Sequence, residues 1–238
     1  MPSRKKVSIG IDIKLARPEP PEFPAPSRPP PSRIYLIRHG ESTWNRIHRI
    51  QGQLDPPLSE EGRSQAARLA HRFAGKRPLA LYSSDLKRAL ETAAPIEAVT
   101  GLEAVPMPEL REIFLGEWEG LRTEELVKRY PEAWARWAEE PSWDLIPGGE
   151  SAAAFEARVE SALDSFFVRH AQGDTVVVTH GGVIQIALHR IVGRPSRGLF
   201  PFRISNSSIT LISKRDGHLI IDSVNDTGHL EGAAHLAD

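Results

Sequence analysis

Short apolar runs alternate along the chain with longer segments of helical periodicity. Four runs predict strands of a buried sheet: Ile34–Ile37, Leu79–Tyr82, Leu102–Val105 and Thr175–Thr179. The last run shows no polar alternation, which predicts a central strand covered on both faces. Near the end of the chain, residues 208–213 and 219–224 flank Asp216-Gly217 and predict a terminal hairpin.

The segments between these runs carry apolar stripes at helical spacing. We predict helices that begin after Ser59, at Ser83-Ser84-Asp85, at Glu150-Ser151 and after His180, the last ending at about Val192, and one or two Trp-rich helices in residues 123–140. Pro95 is expected to kink the second helix or to end it early. Because strands alternate with helices, the predicted fold class is α/β, a three-layer α/β/α sandwich with a mainly parallel sheet.

The beginning of the chain differs in composition from the rest. Of the 20 prolines in the 238 residues, nine lie in residues 1–33, which is typical of an extended, flexible segment. We therefore predict a Pro-rich flexible tail at residues 1–32, in which Val7–Leu15 could form a short isolated strand, and one folded domain at residues 33–238. A docking peptide for a partner or for a second subunit is the alternative interpretation of the tail.

Composition also narrows the classes of function. The net charge is -1, and since residues 1–33 carry +4, the body is acidic, which argues against a general nucleic-acid binder. No apolar run approaches the roughly 18 residues that a membrane-spanning helix needs, so we expect no membrane partner. The chain has no cysteine, which excludes disulfides, thiolate metal sites and a cysteine nucleophile and fits a cytoplasmic protein.

Two predicted strands are each followed closely by a His-Gly pair. Ile34–Ile37 leads into Arg38-His39-Gly40, and Thr175–Thr179 leads into His180-Gly181-Gly182. Ligands of open α/β sheets bind at the carboxyl ends of the strands, so the two histidines could face each other across one crevice. Glycines there let backbone N–H groups approach an anion, and Arg88 and Glu112 could reach the same place.

The residues around these strand ends resemble the histidine phosphatase superfamily, which has the phosphoglycerate-mutase-like fold. The resemblance rests on ordered blocks that span about residues 33–230. They are Arg38-His39-Gly40-Glu41-Ser42-Thr43-Trp44-Asn45, Gln51-Gly52-Gln53-Leu54-Asp55-Pro56-Pro57-Leu58-Ser59, Ser83-Ser84-Asp85-Leu86-Lys87-Arg88-Ala89, Leu110-Arg111-Glu112, Gly116-Glu117-Trp118-Glu119-Gly120, Pro147-Gly148-Gly149-Glu150-Ser151, Thr179-His180-Gly181-Gly182 and Asn225-Asp226-Thr227-Gly228-His229-Leu230.

The resemblance implies a metal-independent phosphomonoester hydrolase that acts on small phosphorylated metabolites and needs no cofactor. In it His39 would be the nucleophile that forms a phosphohistidine, and Glu112 the acid and base. Arg38, Arg88 and His180 would hold the phosphoryl oxygens. The resemblance also implies a substrate-binding set of Arg38, Asn45, Gln51, Gly52, Arg88 and Gly181.

Within the superfamily, the compact segment between Glu112 and His180 resembles the phosphatase branch, in particular broad-specificity, α-ribazole and glucosyl-3-phosphoglycerate phosphatases, with a slight preference for the last. A cofactor-dependent phosphoglycerate mutase and a non-catalytic phosphatase-like scaffold are the alternatives. We expect residues 123–146 to carry substrate selectivity, although the Trp-rich helices there are as often mere packing. A homodimer is left open.

Two further groups of residues are interpreted without a role in the chemistry. Arg46 and Arg49 could add positive charge at the mouth of the site, but a solvated surface is the preferred interpretation. His229 and His235 do not have the spacing of a standard metal site, so we expect no metal there.

Overall fold

The computed structural model describes residues 31–196, 198 and 201–231. Within these residues the chain forms one six-stranded sheet and six α-helices. The strands are β1 (Ser32–Arg38), β2 (Ala80–Ser83), β3 (Ala104–Pro106), β4 (Gly173–Thr179), β5 (Ile209–Arg215) and β6 (His218–Asp226). The helices are α1 (Glu60–Ala70), α2 (Lys87–Thr100), α3 (Thr123–Arg129), α4 (Pro131–Glu139), α5 (Ala152–Arg169) and α6 (Gly181–Val192). The predicted tail, with its expected strand at Val7–Leu15, lies outside the described residues.

The sheet has the strand order β3-β2-β4-β1-β5-β6. The four strands β3, β2, β4 and β1 are parallel. The predicted terminal hairpin, β5 and β6, pairs with β1 in antiparallel orientation through β5. The expected mainly parallel sheet is therefore confirmed. β4 lies between β2 and β1, and its three consecutive valines, Val176–Val178, are fully buried, as predicted for a central strand.

Helices cover both faces of the sheet, which makes the three predicted layers. On one face Ile37 and Val178 pack in a cluster with residues of α1 and α2. On the other face Leu36 and Val177 pack with residues of α5 and α6. Successive residues of a strand point to opposite faces, so β1 and β4 contribute to both layers of the core.

The helix starts test the predicted caps. The hydroxyl oxygen of Ser59 accepts a hydrogen bond from the N–H of Gly62, and Ser151 caps α5 in the same way, as expected. The predicted start at Ser83-Ser84-Asp85 is wrong, because α2 begins at Lys87. The N–H of Lys87 donates instead to the carboxylate of Asp55, 2.7 Å away and 32 residues earlier.

The expected early end of α2 at Pro95 is also wrong. The helix continues through Pro95 to Thr100 and closes on Gly101 in the left-handed region. Arg88 lies in its first turn, well before the proline. The helix therefore presents Arg88 at the carboxyl ends of the strands.

Candidate active site

β1 and β4 bring the two predicted histidines together. The strands are parallel neighbours with Arg38 opposite Thr179, so the residues that follow, His39 and His180, leave the sheet side by side. Their ring centroids are 5.1 Å apart. The sequence expectation that both His-Gly strand ends meet at one place is confirmed by this register.

The two imidazoles are held through different nitrogens. Nδ1 of His39 lies 2.7 Å from the carbonyl oxygen of Gly40, which can only accept, so Nδ1 carries the proton and Nε2 carries the lone pair. His180 is held through Nε2, 2.8 Å from the hydroxyl of Ser84. Its Nδ1 is buried and has no hydrogen-bond partner among the described residues.

Burial keeps both imidazoles neutral. The pKa of His39 is lowered well below 6.5, first by burial and then by the nearby cations of Arg88 and Arg38. The pKa of His180 is lowered well below 6.5 by burial, and Arg88 adds to the effect. At neutral pH, Nε2 of His39 is therefore unprotonated, as a nucleophile must be.

Arg88 ties the loop at residues 52–54 to the nucleophile. Its Nη2 and Nη1 donate to the carbonyls of Gly52 and Leu54 at 2.7 and 2.8 Å, and its Nε lies 3.3 Å from Nε2 of His39. Burial lowers the pKa of Arg88 to about 10, so the guanidinium is still a cation at neutral pH. Thr92, one turn along α2, accepts from the N–H of Gly40 and donates to the carbonyl of Arg88.

Arg38 is a half-buried cation whose buried Nε is a free donor. Its Nη1 donates to the carbonyl of Ile204 at 2.7 Å, while its Nε has no partner among the described residues. Burial lowers the pKa of Arg38, and the carboxylate of Glu112 opposes that effect. A half-buried guanidinium with an unsatisfied N–H is suited to bind an anionic oxygen.

Glu112 lies close to the start of α6. It follows a short 3₁₀ helix at Pro108–Leu110, and its Oε2 accepts from the N–H of Gly182 at 3.1 Å. A side chain at Gly182 would collide with this carboxylate, because a Cβ there would lie 2.1 Å from Oε1. The second glycine of the His180 block is therefore explained by the position of Glu112.

These side chains enclose a cavity of about 250 Å³. Its lining includes seven of the predicted site residues: Arg38, His39, Asn45, Gln51, Gly52, Arg88 and Glu112. Of the other two, His180 lies beside His39, and a Cβ built on Gly181 would be 3.6 Å from Nε of Arg38. The structure thus brings the whole predicted set together.

The loop residues of this set are connected by Ser42. The amide oxygen of Asn45 accepts from the backbone N–H of Ser42 at 3.0 Å, and the hydroxyl of Ser42 donates to the amide oxygen of Gln51 at 2.7 Å. Position 52 requires a glycine, because its φ is +51° and a Cβ there would lie 1.9 Å from the carboxylate of Glu119.

The geometry supports transfer of an anionic group to a nitrogen nucleophile. Two arginines and a second histidine lie near Nε2 of His39, and a carboxyl group lines the same cavity. Among the described residues, no group of three or more His, Cys, Asp or Glu side chains is arranged to hold a metal ion. No helix in that part of the chain is long and apolar enough to span a bilayer.

Residues 34–227 match the family model of the histidine phosphatase superfamily, branch 1. The chain belongs to this superfamily. A metal-independent phosphoserine phosphatase of Arabidopsis thaliana is 38% identical over 208 residues, 86% of this chain and 86% of the relative. A phosphoglycerate mutase-like protein of the same plant is 39% identical over 209 residues, 86% of this chain and 90% of the relative.

Solved structures of the superfamily agree with this assignment. A variant of the Entamoeba histolytica phosphoserine phosphatase in complex with phosphoserine has a TM-score of 0.74 at 30% identity, covering 84% of this chain and 99% of that one. A mycobacterial glucosyl-3-phosphoglycerate phosphatase complexed with VO3 has a TM-score of 0.72 at 33% identity, covering 82% and 99%. The predicted class, a phosphatase of this superfamily, is confirmed.

Sequence reasoning did not single out Asn206, which holds the backbone of the nucleophile. The side-chain amide of Asn206 donates to the carbonyls of His39 and Gly40, at 3.0 and 3.2 Å, and lies 3.3 Å from the amide oxygen of Asn45. The only signal in the sequence is a polar run, Ser205–Ser208, directly before β5. The role of that run could be inferred only after the structure placed β5 beside β1.

The Trp-rich segment is mainly packing. Trp118, Trp134, Trp137 and Trp143 form a chain of ring contacts with centroids 5.2–6.3 Å apart. Trp143 is buried among these rings and also lines the cavity. The other two tryptophans in residues 123–146, Trp134 and Trp137, are not among the residues that line the cavity. The role of this segment in selectivity stays a prediction.

Arg46 and Arg49 lie in different environments. Arg46 is exposed, as interpreted, but Arg49 lines the cavity and donates to the carbonyl of Gly120. Its guanidinium also lies 5.8 Å from the ring centroid of Trp44.

Nε2 of His229 lies 3.0 Å from the carbonyl of Ser207. His235 lies outside the described residues.

Proposed function

We propose that this chain hydrolyses phosphomonoesters of small metabolites through a phosphohistidine at Nε2 of His39. The observation that carries the proposal is the hydrogen bond between Nδ1 of His39 and the carbonyl of Gly40. It leaves the lone pair on Nε2, beside the cation of Arg88. A neutral, oriented imidazole within a cationic pocket is what attack on a phosphate dianion requires.

In the first step, Nε2 of His39 bonds to phosphorus while the bond from phosphorus to the leaving oxygen breaks. The electron pair goes to the leaving oxygen, which takes a proton from the carboxyl group of Glu112 and departs as an alcohol. Arg38, Arg88 and His180 stabilise the charge on the three non-bridging oxygens. This step needs the protonated form of Glu112.

In the second step, water attacks phosphorus and the bond to Nε2 breaks. Glu112, now a carboxylate, takes a proton from the water, and the electron pair of the broken bond returns to His39. Inorganic phosphate leaves, and both residues regain their starting forms. The two steps together consume one water and one phosphomonoester, with no cofactor or metal.

The substrate class follows from the cavity and the relatives. The cationic and polar residues that line the cavity suit a phosphate, and the lining also includes four apolar residues, Ile50, Ile113, Leu115 and Trp143. A volume of about 250 Å³ suits a small phosphorylated metabolite. Because relatives are named phosphoserine phosphatases, O-phospho-L-serine is the first substrate to test.

The mutase remains the second candidate, because several relatives are named as phosphoglycerate mutases or mutase-like proteins. A mutase must return the phosphoryl group to the bound substrate and not to water. Isomerisation of 3-phosphoglycerate, with a bisphosphate primer present, would establish that activity.

We further propose a cytoplasmic location, in keeping with the absence of cysteine from the sequence. The proposed partner is the small phosphorylated substrate, with no nucleic-acid or membrane partner, and a homodimer is left open.

The proposal is tested by phosphate release from p-nitrophenyl phosphate and O-phospho-L-serine in excess EDTA. We expect hydrolysis by the wild type and a loss of at least about 1000-fold in His39→Ala. His218→Ala, which replaces an exposed histidine on β6, is the matched control. Wild-type rates in His39→Ala would refute the nucleophile, and isomerisation without hydrolysis would identify a mutase.

A further inference from the structure

Arg158 of α5 binds the segment that carries Glu112. Its Nη1 donates to the carbonyls of Glu109 and Arg111 at 2.8 and 2.7 Å, and its Nη2 donates to the carbonyl of Glu112 itself at 3.0 Å. One guanidinium thus holds three carbonyl oxygens within four residues. Such a planar fork fixes a direction as well as a distance.

Arg158 is itself held by Glu150. Its Nε and Nη2 donate to the two carboxylate oxygens of Glu150 at 2.7 and 2.9 Å, a bidentate pair. The side chains are only 19% and 16% exposed. Glu150 also exchanges hydrogen bonds with the backbone of Phe114, so the pair holds the chain on both sides of Glu112.

Glu112 needs this support more than its partners do. His39 and His180 directly follow strands, Arg38 ends β1 and Arg88 lies on α2, so regular structure positions all four. Glu112 lies between two 3₁₀ turns, outside any helix or strand. A side chain that must transfer a proton requires placement to within a fraction of an ångström.

We propose that Arg158, held by Glu150, is a positioning residue that sets Glu112 for proton transfer to the leaving group. The inference rests on the proposed function of Glu112. Arg158 itself contacts only the backbone of this segment and not the reacting atoms.

The proposal has a consequence that a purely structural role lacks. An alkoxide, such as the one released from O-phospho-L-serine, is a poor leaving group and needs the proton of Glu112. p-Nitrophenolate is a good leaving group and needs little help. If Glu112 is less well positioned, hydrolysis of O-phospho-L-serine should therefore slow far more than hydrolysis of p-nitrophenyl phosphate.

The test measures kcat/KM of Arg158→Lys with both substrates. This parameter covers only the steps up to cleavage of the ester and is unaffected by slow hydrolysis of the phosphohistidine. We expect a loss of about 10- to 100-fold with O-phospho-L-serine and of less than about threefold with p-nitrophenyl phosphate. Glu150→Gln, which removes the negative charge and one of the two acceptors that hold Arg158, should show the same selectivity in case Arg158→Lys folds poorly.

Arg190→Lys is the matched control. Arg190 on α6 also donates to a backbone carbonyl, of Glu160, and to a carboxylate, of Asp164, but neither belongs to the proposed site. We expect similar small changes with both substrates. Thermal melts of all variants separate loss of fold from loss of positioning.

A double-mutant cycle with Glu112→Gln completes the test. If Arg158 acts through Glu112, adding Arg158→Lys to Glu112→Gln causes no further loss with O-phospho-L-serine. Equal losses with both substrates, or fully additive losses in the cycle, would overturn the positioning role while leaving Glu112 as the acid. If Glu112→Gln alone shows no dependence on the leaving group, the proposed role of Glu112 fails and this inference fails with it.

Discussion

At the scale of single residues, the site depends on which nitrogen of each histidine is held. His39 is fixed through Nδ1 and His180 through Nε2, by a carbonyl and a hydroxyl respectively. Both histidines could be predicted from the sequence, because each follows a predicted strand and lies in a block that resembles the superfamily. The groups that hold them could not. Asn206, for example, reaches the carbonyl of His39 from 167 residues away.

The position of Glu112 can be tested through its glycine neighbour. In Gly182→Ala the new Cβ would lie 2.1 Å from Oε1 of Glu112, the movable end of a side chain, so the carboxylate must shift. We expect kcat/KM for O-phospho-L-serine to fall about 10- to 100-fold, with a change in melting temperature too small to explain the loss.

Gly181→Ala is the comparison for this variant. The nearest atom to its Cβ is Nε of Arg38 at 3.6 Å, an ordinary contact, so its loss should be smaller. If the two alanine variants lose activity equally, the close fit between Gly182 and Glu112 does not govern the rate.

At the scale of elements, local patterns predicted most strands and helices, because each buries an apolar run or stripe. What they missed came from contacts between distant segments. The cap of α2 is the clearest case, since Ser83-Ser84-Asp85 has suitable residues but Asp55 supplies the acceptor. Ser84 and Asp85 have other partners, His180 and Arg111.

Pro95 makes α2 a testable element. A proline within a helix lacks the N–H that would bind the carbonyl four residues earlier, yet α2 continues past it. We expect Pro95→Ala to raise the free energy of unfolding by about 1–3 kcal/mol, measured by urea denaturation. Since Arg88 precedes Pro95 by about two turns, kcat/KM should stay within about twofold. A destabilised variant would show that the proline fits this helix better than alanine does.

At the scale of the whole molecule, the strand order places the site. The alternation of strands and helices predicted the parallel sheet and both helical layers. It did not reveal that β5 lies beside β1, which brings Asn206 and Ser207 to the nucleophile. Pairing between segments about 170 residues apart leaves no local pattern in the sequence.

The two buried histidines should make stability depend on pH. Both have a pKa well below 6.5 in the folded chain, whereas in the unfolded chain they titrate near 6.5. Below pH 6.5 the unfolded state therefore binds more protons, and the free energy of unfolding should fall as pH decreases. Each histidine contributes a slope of up to about 1.4 kcal/mol per pH unit.

Urea denaturation between pH 7.5 and 5.5 measures this slope. His39→Gln should reduce it, while His218→Gln, at an exposed histidine, should leave it unchanged. A free energy of unfolding that is constant or rises as pH falls through this range would contradict neutral, buried imidazoles.

The most direct test of the proposed chemistry is to trap the phosphoryl group on the enzyme. Glu112→Gln should still be phosphorylated by p-nitrophenyl phosphate, whose leaving group needs little acid catalysis, but should hydrolyse the intermediate slowly. After an alkaline quench, which preserves a phosphorus–nitrogen bond, peptide mapping should find the phosphoryl group on His39, and the His39→Ala variant should carry none. A phosphoryl group on another residue, or turnover by His39→Ala, would contradict catalysis through His39.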